Sequence, residues 1–181
     1  MKKISKENVL IIIPNSQYCD EELYGVVSLL KESGIRAIVL SKSGQEAFSM
    51  KRNKFKPDGM IVDWDKQRCV NGKYNAVILV GGKGARKSLW DDSIITQILA
   101  DHYRAGRVIG AIGSAMVVLM KASMIIGEIP LPSEDLAKKE LESFGAVFNN
   151  SLVTCEGKIV LGQGANSVKK FSQTILDLIK E

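Results

Sequence analysis

The chain has 181 residues, 45% of them apolar, a length for one domain with enough apolar content for a full core. The 25 Lys and Arg outweigh 20 Asp and Glu to give +5, but the basic residues are scattered, and the group Lys51, Arg52, Lys54 and Lys56 around Phe55 reads as a solvated loop, so no nucleic-acid partner is inferred. Three widely spaced cysteines, Cys19, Cys69 and Cys155, argue against a disulfide framework and suit a reducing compartment; with His102 the only histidine, neither a metal site nor a cofactor is expected.

At the N-terminus Lys2 and Lys3 resemble the start of a signal peptide, but Ser5, Lys6, Glu7 and Asn8 break any apolar core. No segment reaches about 18 uncharged apolar residues, so the expectation is a soluble, cytoplasmic chain without membrane contact. Asn8 to Pro14 is a continuous apolar run, the pattern of a parallel strand buried on both faces. Glu21 to Ser33 carries Leu23, Val26, Val27, Leu29 and Leu30 at helical spacing, with Gly34 as the stop and Ile35 to Leu40 as the next strand. Residues 43–73 are polar and mixed, with one or two short strands expected around Gly59 to Asp63.

Tyr74 to Val80 reads as another buried strand ending in Gly81-Gly82, and Asp91-Asp92 is the capping signal for a helix over Ser93 to Tyr103, on which His102 is expected at the surface. Val108 to Ile112 is a third buried strand that passes through Gly113-Ser114-Ala115 directly into Val117-Val118-Leu119-Met120. A charged amphipathic helix over Ser133 to Phe144 follows, then a hairpin of Leu152 to Cys155 and Lys158 to Leu161, then a helix over Val168 to Lys180. The order predicts one domain over residues 1–181. Its class is a flavodoxin-like three-layer α/β/α sandwich with a mostly parallel sheet and a late β-hairpin.

The strand-to-helix elbow at Gly113 is the chemically telling point, because such a turn holds its apex residue above the C-terminal edge of a sheet, where several hydrolase families put a nucleophile. Glycine has nothing to attack with. Gly81-Gly82 after a strand leaves amides facing the same edge, where they could receive an anion or carbonyl, or could form merely a tight loop. The segment contains neither the Gly-Lys-Ser/Thr ending of a phosphate loop nor GxGxxG.

The first strand, the acidic loop opening a helix, the strand ending Gly81-Gly82-Lys83-Gly84-Ala85, and the elbow Ala111-Ile112-Gly113-Ser114-Ala115-Met116 together resemble the DJ-1/PfpI (ThiJ/PfpI) family of the class I glutamine-amidotransferase-like fold, across nearly the whole chain. The family elbow reads Ala-Ile-Cys-His-Gly-Pro or Ala-Ile-Cys-Ala-Gly-Pro. The resemblance therefore implies that the nucleophilic cysteine falls on Gly113 and the frequent histidine on Ser114. It also implies that Glu22 is the acid that would hydrogen-bond the thiol, that the Gly82 amide belongs to an oxyanion hole, and that the protein forms homodimers.

Glu22 also has an ordinary reading as a carboxylate favoured at a helix N-terminus. Ser114, next to the elbow apex, is a candidate replacement for the thiol and a candidate ligand contact, but it meets no Gly-x-Ser-x-Gly pattern, and the segment from Glu128 to Ser133 contains no histidine to act as its base. Cys19, one turn before Glu22, is placed at the pocket rim, where the helix N-terminus favours a thiolate; its alternative is an inert small hydrophobe. The leading expectation is a pseudoenzyme, a non-catalytic small-molecule-binding or stress-related homologue with its ligand in the elbow pocket. The alternatives are a hydrolase or glyoxalase-like enzyme using Glu22 and water or Cys19, and an interaction or chaperone-like dimer.

Overall fold

The computed structural model describes residues 7–68, 70 and 72–181; Cys69 and the lysines at positions 2, 3 and 6 lie outside the described residues. The elements in order are β1 (Asn8–Ile12), α1 (Asp20–Glu32), β2 (Arg36–Ser41), β3 (Ala47–Phe48), β4 (Lys54–Phe55) and β5 (Gly59–Met60). Then come β6 (Ala76–Leu79), α2 (Ala85–Ser88), α3 (Ser93–Arg104), β7 (Val108–Ile112) and α4 (Met116–Lys121). The chain closes with β8 (Ile129–Pro130), α5 (Asp135–Ser143), β9 (Phe148–Asn149), β10 (Val153–Glu156), β11 (Ile159–Gly162) and α6 (Val168–Lys180).

Seven strands form one sheet in the order β10-β11-β7-β6-β1-β2-β5. Every pairing in it is parallel except the β10–β11 hairpin, where Val153 faces Gly162 and Glu156 faces Ile159. Successive side chains of a strand point to opposite faces, and the central strands use both. Leu10 and Ile12 of β1, Val77 and Leu79 of β6, and Ile109 and Ala111 of β7 join the core beneath α3, α4 and α5. Val9 and Ile11, Ala76 and Ile78, and Val108 and Ile112 join the opposite core with Leu23, Val26 and Leu30 of α1 and Phe171 and Ile175 of α6. Each such fully buried Ile, Leu or Phe contributes about 1.5–3 kcal/mol, which is why these strands read as unbroken apolar runs. The result is the flavodoxin-like α/β sandwich.

Two sequence expectations are corrected. Ile61 to Asp63 is not strand: after the two-residue β5 the chain turns into 3-10 helix over Ile61–Lys66, burying Ile61 while Val62 stays exposed. His102 is not at the surface but fully buried, because α3 lays that turn against Tyr74 and Trp64. The Asp92 cap is as expected, its carboxylate accepting from the Ile94 and Ile95 amides at 2.9 and 3.1 Å. Among the described residues no helix is long and apolar enough to cross a membrane.

Candidate functional site

Parallel strands β1, β6 and β7 end together, and the loops that leave their C-terminal edges enclose a cleft of about 530 Å³. The elbow stands at its floor. Gly113 sits at φ +62°, the left-handed region that a residue with a Cβ enters at a cost of about 1–2 kcal/mol, so the sharp turn from β7 into the helical turn Gly113–Ala115 suits glycine. The glycine has a second consequence, which is steric: a Cβ at this position would collide with Oε1 of Glu22.

Glu22 reaches the elbow from the first turn of α1 and is only 4% exposed. Its Oε2 accepts the Gly81 amide at 2.8 Å, which ties α1 to the end of β6. Burial pushes its carboxyl up to about 8, with the charges of Glu134 and Glu21 adding to the effect and the Gly81 hydrogen bond opposing it. Glu22 is therefore mostly neutral at pH 7. In that state the accepting oxygen is Oε2, and the proton belongs on Oε1, the oxygen beside Gly113.

The Gly82 amide, expected to face a ligand, donates instead to Oγ of Ser114 at 3.0 Å, while the same hydroxyl donates to the Gly82 carbonyl at 2.8 Å. This two-way clasp occupies both groups. It couples the elbow to the β6 loop, and Trp90 adds to it by donating its indole N–H to the Ser114 carbonyl at 2.9 Å. Gly82 has φ +120° and presses so closely on residues 17–19 that a Cβ there would overlap their backbone. The neighbouring Cys19 amide donates to the Gly81 carbonyl at 3.0 Å.

Cys19 does line the cleft, as expected from its spacing to Glu22, but its thiol is not activated. Burial, followed by the charge of Glu22, pushes it up to about 12, and its Sγ donates to Oε2 of Glu21 at 3.5 Å. The helix N-terminus loses to desolvation and to the neighbouring acids Glu22 and Glu21. Cys155 is exposed on β10, away from the cleft. Among the described residues no group of three or more His, Cys, Asp and Glu is placed to hold a metal ion.

Several lining residues escaped the sequence reading, Glu134, Lys83 and Met50 among them. Glu134 occupies the N-cap position of α5 without capping it, and its half-buried carboxylate lines the cleft. Burial raises its pKa, opposed by the Ser114 hydroxyl and the charge of Lys83. Lys83, in the Gly-rich loop, lines another part of the wall, and Met50 forms the rim. The available signal was an acidic residue opening α5, yet in sequence that pattern says only that a helix begins.

The fold has counterparts among known proteins. An uncharacterized protein of Methanocaldococcus jannaschii is 24% identical over 184 residues, covering 99% of this chain and 86% of that protein. Protein dj-1beta of Drosophila melanogaster is 23% identical over 174 residues, covering 96% and 89%. Among solved structures, a ThiJ/PfpI domain protein from Brachyspira murdochii superimposes with a TM-score of 0.82 over 96% of both chains at 21% identity. The Drosophila melanogaster DJ-1beta crystal structure gives 0.78 over 97% of this chain and 91% of that one, at 20% identity. The DJ-1/PfpI family model matches residues 7–178, and the chain belongs to the DJ-1/PfpI family.

Proposed function

We propose that this chain is a family member without the nucleophilic cysteine, and that its elbow cleft binds a small polar molecule without covalent catalysis. The observation that carries this reading is the position of Glu22. One of its carboxyl oxygens lies where a side chain on Gly113 would begin, so a thiol there and the carboxyl in its present place compete for one space. A carboxyl with its pKa near 8 is mostly protonated at neutral pH, which makes it a poor nucleophile and a good hydrogen-bond donor. A ligand carbonyl or carboxylate oxygen is the natural acceptor. The flanking groups offer no substitute nucleophile, since the Ser114 hydroxyl is engaged at both its proton and its oxygen and the Cys19 thiol keeps its proton.

The test is turnover of purified protein with methylglyoxal, small esters and aminopeptidase-type peptides, beside Glu22→Gln, Cys19→Ala and Gly113→Cys variants. The wild type is expected to be silent. Turnover that vanishes in Glu22→Gln or Cys19→Ala contradicts the reading and identifies the group that replaced the thiol. Gly113→Cys gains activity only if Glu22 withdraws from the space that the new Cβ needs.

A further inference from the structure

The cleft is lined by two side chains of opposite charge that form no ion pair with each other. Glu134 and Lys83 both line it; burial raises the Glu134 carboxyl, and the Lys83 charge favours its ionised form only in part. Neither closes an ion pair with any described residue, although eight other ion pairs form among the described residues. Glu134 is also the N-cap residue of α5, where a carboxylate would ordinarily turn back to its own helix; here it makes no capping bond. A partly desolvated carboxylate without a cation partner is unfavourable, and a ligand cation relieves that.

Simple ions match this wall poorly. An anion at Lys83 faces the Glu134 carboxylate, and a lone amine at Glu134 faces the Lys83 ammonium. A molecule bearing both charges satisfies the two together, and the third polar group, the Oε1 side of Glu22, adds a donor for a carboxylate oxygen. Between these groups the wall is uncharged, with Met50, Cys19 and Ala165 available to an apolar side chain. The volume of about 530 Å³ is that of a small-molecule site.

Resting on the cleft-binding reading above, we propose that the ligand class is the small zwitterion, a free α-amino acid, with its ammonium group set against Glu134 and its carboxylate toward Lys83 and Glu22. No bond is made or broken in this step. The two charges of the wall give the selectivity, because removing either charge from the ligand leaves one wall group facing its opposite without a partner.

The experiment is titration calorimetry at neutral pH with L-alanine, L-valine and L-methionine, and with two truncated forms of valine: 2-methylpropan-1-amine, lacking the carboxylate, and 3-methylbutanoate, lacking the ammonium. Wild type, Glu134→Gln, Lys83→Met and Glu22→Gln are compared. At least one amino acid is expected to bind, with both truncated forms weaker by about tenfold or more, the loss for one unpaired charge. Glu134→Gln should erase the advantage of L-valine over 3-methylbutanoate, and Lys83→Met its advantage over the amine. A merely structural role for either residue lowers all affinities alike and preserves the order. The proposal is overturned if no amino acid binds, if a truncated form binds as tightly as L-valine, or if both variants keep the wild-type order. Acetamide and acetate separate the two levels: Glu22-dependent binding of either one without amino-acid binding sinks the zwitterion and leaves the cleft reading standing, whereas no binding of any probe sinks both.

Discussion

The two ends of the central sheet each bury a titratable side chain, and the two are handled in opposite ways. At the end where β6 begins, His102 is fully buried and both ring nitrogens are used: Nδ1 bonds the Ile98 carbonyl at 2.7 Å and Nε2 accepts the Tyr74 amide at 3.2 Å. That pairing requires the neutral tautomer with its proton on Nδ1. At the other end, Glu22 is almost as buried, but only one oxygen is tied to the backbone and the other stands at the floor of a cleft. Burial alone therefore does not mark a functional group. What marks it is a buried group with a polar valence left over and a space for a ligand to meet it.

The strongest way to break this comparison is at the histidine. His102→Ala leaves the Tyr74 amide and the Ile98 carbonyl unpaired and removes a ring packed between Trp64 and Tyr74, so a loss of about 2–4 kcal/mol is expected in urea denaturation. The cleft should be untouched, with probe binding unchanged below the transition. Next in size is Gly113→Ala, which places a Cβ at φ +62° and against Glu22, costing about 1–3 kcal/mol. In a Glu22→Ala background the same substitution should cost about 1 kcal/mol less, because only the backbone strain persists.

Stability against pH sharpens the contrast, since the two groups pull in opposite directions. Glu22 has its carboxyl raised from 4.5 to about 8, so the folded state binds more protons than the unfolded chain between these values. Its contribution is complete below about 4.5 and is lost as the pH rises through about 8. The His102 imidazole is lowered from 6.5, by burial first, so its contribution is complete above that value and is lost as the pH falls. Denaturation midpoints from pH 5 to 9 should fall at the alkaline side in the wild type, and Glu22→Gln should remove that fall while keeping the acid-side one.

The smallest effect expected lies at the cleft rim. The buried carboxylate of Asp20 accepts the Lys51 amide at 3.2 Å and the Asn53 side chain at 2.8 Å, and the Tyr18 hydroxyl donates to the Asn53 carbonyl at 3.1 Å. These bonds hold the turn that carries Met50 to the cleft. Asp20→Asn should lower the local opening energy by about 1–2 kcal/mol, seen as faster tryptic cleavage after Lys51 and Arg52 with little change in global stability.

Much of the frame was legible because the central strands are buried on both faces and so announce themselves as apolar runs; β7 and α6 match their expected bounds to the residue. The stretch between β2 and β6 was not, since β3, β4 and β5 have two residues each and are held by tertiary contacts rather than by any period in the sequence. His102 was misplaced for a related reason: one histidine on a helix does not disclose that Tyr74, 28 residues earlier, supplies its partner. In the site, Glu22, Gly113 and Cys19 could be found from spacing and resemblance, but the protonation of Cys19 follows from three-dimensional burial, and the Ser114–Gly82 clasp from two loops meeting. Glu134 and Lys83 are ordinary surface residues in one dimension and come to line one cleft only when the loop after β6 and the start of α5 are brought to the same sheet edge.

The account depends most on Glu22 holding its proton at neutral pH beside a glycine. A carbon-13 NMR titration of the glutamate side-chain carboxyls, with the Glu22 signal assigned by its absence in Glu22→Gln, measures that directly. A midpoint near 8 is the predicted result. A midpoint in the ordinary glutamate range, near 4.5, would contradict the account, since a carboxylate charged at pH 7 is no hydrogen-bond donor.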